Sequence, residues 1–215
     1  MIAKSIKGKS TSAIQLALEQ SMTDGFKPTL AICFISKSMD RNAISNLLDA
    51  VGISVFGCTT NGEFIDEETD KESAAILLLD MKKEYFHIYF HEFSEPNYRE
   101  AAQEIAKKAK EKFAVPAFFI GLSHHETDGE EVLRGLEDIV GKEVNAFGGG
   151  AGDDYAFKET VVFANGKDSN KAIVCIAIDE TKITVEGITT CGWKAVGTEK
   201  IVTKSEGNHV YTVDN

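Results

Sequence analysis

Residues 144–166, reading VNAFGGGAGDDYAFKETVVFANG, constrain this chain more than any other stretch. The apolar run Val144 to Phe147 meets Gly148, Gly149, Gly150, Ala151 and Gly152, then Asp153, Asp154 and the aromatic Tyr155. The order reads as strand, glycine loop, acid pair. Residues 53–64, ISVFGCTTNGEF, repeat it: at a shift of 91, Phe56 and Gly57 fall on Phe147 and Gly148, Glu63 on Asp154, and Phe64 on Tyr155. The rest of the chain can be read as two copies of a scaffold that presents these two loops.

The flanking patterns support that reading. Ile14, Ala17, Leu18, Ser21 and Met22 share one helical face, which predicts a helix from about Thr11 to Met22. Pro28 opens TLAICFIS, a continuous apolar run suited to a strand buried on both faces. Asp40 can cap a helix carrying Ala43, Ile44, Leu47, Leu48 and Val51, closed by Gly52. Ala74 to Asp80 and Phe86 to Phe93 flank Met81-Lys82-Lys83-Glu84 as an expected hairpin.

The second half follows the same order. Asn97 with Glu100 starts a helix whose apolar face is Tyr98, Ala101, Ala102, Ile105 and Ala109, and Pro116 opens AFFIGLS. Asp128 with Glu131 starts another helix, carrying Val132, Leu133, Leu136, Ile139 and Val140 and closed by Gly141. Ala172 to Asp179 and Lys182 to Ile188 flank Glu180-Thr181 as a second expected hairpin. Pro28 and Pro116, like Asp40 and Asp128, are related by a shift of 88, and Gly52 and Gly141 by 89.

The expected fold class is therefore α/β: internally duplicated helix-strand-helix-strand-hairpin units forming mixed sheets flanked by helices. Repeat 1 spans about 11–93 and repeat 2 about 97–188, within a domain of residues 1–190. Residues 191–215 alternate like strands and read as the start of a further portion that the chain does not contain.

A net charge of −11 with no basic stripe would repel a phosphate backbone, so nucleic acid is not an expected partner. No apolar run approaches the ~20 residues that span a bilayer. The opening MIAKSIKGKSTSAIQ has lysines but no apolar core of a signal peptide. A cytoplasmic protein without membrane insertion is expected. Cys33, Cys58, Cys175 and Cys191 show no C-x-x-C spacing and read as reduced thiols.

Glycine loops leaving buried strands present N–H groups that can cradle an anion. Neither loop holds a lysine or arginine, and their carboxylates would repel a polyphosphate. An amphoteric small molecule suits them better, its carboxylate on N–H groups and its ammonium on Asp or Glu. The candidate ligand-binding residues are Cys58, Thr59, Thr60, Asn61 and Glu63 in one loop and Gly149, Gly150, Asp153 and Asp154 in the other. Ser123 and His124 join them at the strand end between, because ligands of α/β sheets sit outside the carboxyl ends of strands. The bland alternative is that the glycines permit tight turns and Asp153 caps backbone N–H groups.

Two further chemistries stay open. Cys58 could act as a nucleophile if His124 or His125 served as its base. One of those histidines could instead be an axial haem ligand, although adjacent residues of an extended chain point apart and make a poor metal site. His87 and His91 share a strand face about 13 Å apart, too far for one metal, and read as solvated.

Four stretches resemble the FIST sensory-domain family in its N-terminal portion. They are Gly57-Cys58-Thr59-Thr60-Asn61-Gly62-Glu63, Gly121-Leu122-Ser123, Phe147 to Asp154, and Val162-Phe163-Ala164-Asn165-Gly166. Gly192-Trp193, Val202-Thr203 and Gly207-Asn208 are similar to the start of the family's C-terminal portion. The resemblance implies an intracellular signal-input module, not an enzyme, that binds a small ligand, with amino acids suggested, and passes a signal to a protein partner. It leaves no cofactor as the main expectation, with haem binding and gas sensing as one alternative and a Cys58 enzyme as another.

Overall fold

Apolar runs need cover on both faces, and the computed structural model shows what covers them. It describes residues 1–66, 68–94, 97–123, 125–188, 191–207 and 209–214. In the first half, β1 (Ala3–Gly8), α1 (Thr11–Ser21), β2 (Leu30–Ser36), α2 (Arg41–Ala50) and β3 (Ser54–Thr60) are followed by the short strands β4 (Glu63–Ile65) and β5 (Glu68–Asp70), then by β6 (Ala74–Leu79). In the second half come β7 (Phe86–Glu92), α3 (Tyr98–Lys112), β8 (Pro116–Leu122), α4 (Gly129–Val140) and β9 (Ala146–Gly150), then β10 (Val162–Ala164), β11 (Lys167–Ser169) and β12 (Ala172–Asp179).

The first sheet runs β1-β6-β2-β3-β10-β11 and the second β7-β12-β8-β9. Leaving aside the three-residue strands, each contains its half's strands in the order first, fourth, second, third. The second and third pair in parallel and the rest antiparallel. β10 and β11 come from the second half yet extend the first sheet, with β10 antiparallel to β3. The turn that joins them is Asn165-Gly166, both at positive φ, the backbone a two-residue hairpin favours.

Three apolar clusters define four layers. Ile14, Leu18, Ile44 and Leu48 pack α1 and α2 on one face of the first sheet, against Ala31, Cys33, Ile35, Ile76 and Leu78. Ala102, Ile105, Val132 and Leu136 pack α3 and α4 on the outer face of the second, against Phe118, Ile120, Ile173 and Cys175. The inner faces meet through Leu30, Phe56, Cys58, Val174 and Ile176. This α-β-β-α sandwich covers both faces of the central strands, and β12 is buried from Ala172 to Ile178.

The helix starts follow the caps read from sequence at Asp40 and Asp128. Asp40 accepts from the Ala43 N–H, and Asp128 from those of Glu130 and Glu131. Asn97 stands at the start of α3, but its side chain makes no capping bond.

The structure departs from the expected elements at four places. β6 and β7 are both strands, but they lie in different sheets and do not form a hairpin; Met81 is buried between them and Lys83–Tyr85 make one 3-10 turn. Residues 182–188 form no strand after β12. The strand β1 precedes the first helix and was not anticipated: as an edge strand it buries only Ile6, so AKSIKG reads as polar. The hairpin β4–β5 was also missed, because Glu63 and Asp70 occupy what looked like loop.

Residues 1–185 form one compact unit and 186–215 another. The second unit holds an antiparallel pair, β13 (Val202–Glu206) and β14 (His209–Val213), its ends joined by the Lys200–Asp214 ion pair at 2.7 Å. No helix among the described residues is long and apolar enough to cross a membrane.

Candidate functional site

The parallel pairs β2/β3 and β8/β9 end on one side of the sandwich, and one crossing segment laces their ends together. Ala151 N–H donates to the Leu122 carbonyl (2.7 Å), Gly152 N–H to Thr59 (2.7 Å) and Asp154 N–H to Thr60 (3.0 Å), and Thr59 N–H returns a bond to Val161 (2.9 Å). Asn61 fixes the crossing, its Oδ1 accepting from the N–H groups of Asp153 (2.9 Å) and Tyr155 (3.1 Å). A Cβ on Gly152 would lie 2.5 Å from that Oδ1, so only glycine lets the two segments approach this closely.

Asp153, 3 % exposed, is wrapped by its own loop. Its carboxylate accepts the N–H groups of Phe157 (3.0 Å), Lys158 (2.7 Å) and Glu159 (3.0 Å), and His125 Nε2 stands 3.8 Å away. Burial works against its ionisation, but the N–H groups and His125 outweigh burial and hold the carboxyl below its ordinary range. Asp154 Oδ2 accepts from Ser36 Oγ (2.9 Å) and the Lys37 N–H (3.0 Å), which ties the loop to the end of β2. Asp154, Tyr155 and Phe157 all have positive φ, at 59°, 62° and 51°. For Tyr and Phe this is a strained backbone that surrounding bonds must enforce.

The structure thus brings Thr59, Thr60, Asn61, Asp153 and Asp154 together, but it uses most of their polar atoms in holding the crossing. Thr59 Oγ1 is buried and bonded to the backbone of Val161, and Ser123 Oγ likewise to that of Ala172. Gly149 and Gly150 lie in β9, not in a loop, with open space where side chains would stand. The run becomes strand because it pairs in parallel with β8 so tightly that a Cβ on Gly148, at φ 144°, would come within 1.9 Å of the Ile120 carbonyl oxygen. His124 lies outside the described residues.

Cys58 belongs to the core between the sheets. It is 5 % exposed and packs against Gly121, and burial pushes its thiol up to about 12. A nucleophile needs the opposite shift, and His125 turns to Asp153 instead. His91 Nδ1 is 3.6 Å from Glu104 on α3, and His87 stacks near Tyr89. Among the described residues no three His, Cys, Asp or Glu side chains group to hold a metal ion.

Beside the crossing lies a cavity of about 350 Å³. Phe34, Ala75 and Leu77 form its floor on the inner face of the first sheet, and the β4–β5 hairpin roofs it with Glu63, Phe64 and Asp66, with Thr60 at its side. Glu63 is 2 % exposed. Its Oε1 accepts the Thr60 hydroxyl, and its Oε2 accepts the Ser73 hydroxyl (2.8 Å) and N–H (3.3 Å). All three donors are neutral, and no described ion pair involves this carboxylate. Thr60 and Glu63 were in the residue set expected from sequence. Phe34, Phe64, Asp66, Ala75 and Leu77 were not, because only strand register brings residues so far apart onto one wall.

The cavity's described lining does not suit haem. Among the described lining residues there is no histidine, and the carboxylates would face haem propionates.

The model of a family described as FIST N domain matches residues 29–215. No curated protein matches the chain.

Proposed function

The chain belongs to the FIST N domain family, whose members are sensory, signal-transduction domains, and from that premise we propose that it is a ligand-gated input module that takes up a small molecule in the cavity beneath β4–β5. The observation that carries the reading is the cavity of about 350 Å³ with the buried acidic residue Glu63 in its lining. That volume falls in the range of small-ligand pockets, and a mostly apolar lining with a few convergent polar groups is their usual character. Thr60 and Glu63 are the proposed polar contacts. Asn61, Asp153 and Asp154 position the crossing behind them. Occupancy would bear on the roof hairpin, and through it on a protein partner in the signalling pathway. A catalytic role for Cys58 has no support among the described residues: the thiol is buried between the sheets, and His125 stands against Asp153.

A thermal-shift screen with the amino acids, polyamines and haemin tests the proposal, run on the wild type and on Ala75→Phe, which fills the cavity floor. A ligand that raises the Tm of the wild type but not of Ala75→Phe is expected. Ligands that stabilise both proteins equally would move the site elsewhere.

A further inference from the structure

We infer that the cavity selects a small apolar ammonium ion, and discriminates against a zwitterionic amino acid of the same shape; this rests on the cavity being the ligand site. The sign of charge carries the argument. Two carboxylates, Glu63 and Asp66, line the cavity, while no Lys, Arg or His does so among its described lining residues. The nearest cation in strand register, Lys7 beside Ala75, is already paired with Glu68 of β5. A ligand carboxylate would enter with no counter-charge and beside two like charges, whereas an ammonium would find both acids.

The acids are not otherwise neutralised. Glu63 is held by three neutral donors, and Asp66 makes no hydrogen bond or ion pair with any described residue. Thr60 gives its hydroxyl proton to Glu63, which leaves its oxygen free to accept from a ligand N–H.

The rings complete the match. Phe34 and Phe64 both line the cavity, and Phe64 is 74 % exposed. Aromatic faces attract alkylammonium ions through the ring quadrupole. Leu77 and Ala75 supply the apolar floor for the alkyl part. Together these features describe half of an aromatic cage closed by carboxylates.

The test uses the full chain and four probes: 3-methylbutylamine, tetramethylammonium, the uncharged isostere 3-methylbutanol, and leucine, which is 3-methylbutylamine bearing a carboxylate. Titration calorimetry at millimolar concentrations should show the two cations binding at least about tenfold more tightly than the alcohol or leucine. Glu63→Gln should weaken amine binding by at least about tenfold, and Asp66→Asn by about twofold to fivefold. Phe64→Ala should weaken tetramethylammonium binding and leave the unliganded Tm nearly unchanged. Asp66 and Phe64 are exposed, so those two variants keep the test valid if Glu63→Gln fails to fold. Leucine or the alcohol binding as tightly as the amine, with the binding lost in Ala75→Phe, overturns the cation selectivity and spares the cavity as ligand site. Amine binding that survives Ala75→Phe overturns both. Failure of all four probes to bind overturns the selectivity, while the screen with other ligands decides the cavity.

Discussion

Asp153 organises the loop around it by taking three backbone N–H groups onto one buried carboxylate. Asp153→Ala strands those donors, and urea unfolding should report a loss of about 1–3 kcal/mol. Because the carboxyl is held below its ordinary value of 3.8, its contribution is complete above that value and disappears as pH falls through the lower, folded one. The wild type should therefore lose more stability than Asp153→Ala between about pH 5 and pH 2, a difference that melts at stepped pH would measure; equal losses would show that the bonds do not favour the charged form. The cysteines give a second residue-scale expectation. Cys33, Cys58 and Cys175 are buried and Cys191 is exposed. Iodoacetamide should modify one thiol per native chain and four in urea, read by mass spectrometry, and fast native labelling of Cys58 would restore the nucleophile that its burial argues against.

Elements differ in how firmly they are held. Asp40 and Asp128 cap α2 and α4 with real bonds, so either Asp→Ala change should cost about 0.5–2 kcal/mol. Asn97 makes no such bond, and Asn97→Ala should cost a few tenths at most. Comparable losses in all three variants, by denaturant midpoint, would contradict the geometry. The cavity roof is the loosest of these parts. β4 and β5 are three residues each, and surface ion pairs tie them to the first segment of the chain: Lys7 to Glu68, and Lys9 to Asp70 at 2.6 Å. Such exposed pairs contribute little to stability and weaken with salt. Amides of β4 and β5 should exchange faster than those of β2 and β3, and faster still at high salt. A hairpin as protected as the central strands would not open to admit a ligand.

At the scale of the whole molecule the two halves share one core. Leu30, Phe56 and Cys58 from the first half pack on Val174 and Ile176 from the second, and β10 and β11 complete the first sheet. Residues 1–81 alone should therefore lack a native fold, because half of the inner core and two strands are missing; circular dichroism and amide dispersion would show it, and a cooperative melt of that fragment would refute the shared core. The repeated strand order invites the proposal that the halves arose by duplication. Superposing residues 3–79 on 86–179 tests it through the placement of their helices as well as their strands.

What could be read from the sequence was local. Apolar runs opened by Pro28 and Pro116, acids at Asp40 and Asp128, and 3.6-residue periodicity each act within a few residues, so the central strands and all four helices were legible. The meeting of the two acidic loops was also legible, because matched motifs at matched strand ends project to the same side. Pairing between distant segments was not. β6 and β7 are adjacent in the chain and look like a hairpin, but they pair with different strands, β6 with β1 and β2 and β7 with β12. The glycine run looked like loop because nothing in it records that β8 lies alongside. The acid pair looked like the ligand contact because sequence counts carboxylates without showing which N–H groups already hold them. Only the tertiary structure decided that Asp153 holds the N–H groups of its own loop, that Asp154 ties that loop to Ser36 and Lys37, and that Glu63 lines a cavity. Solvation and pairing of a charge depend on the packed surroundings, which long-range strand register creates.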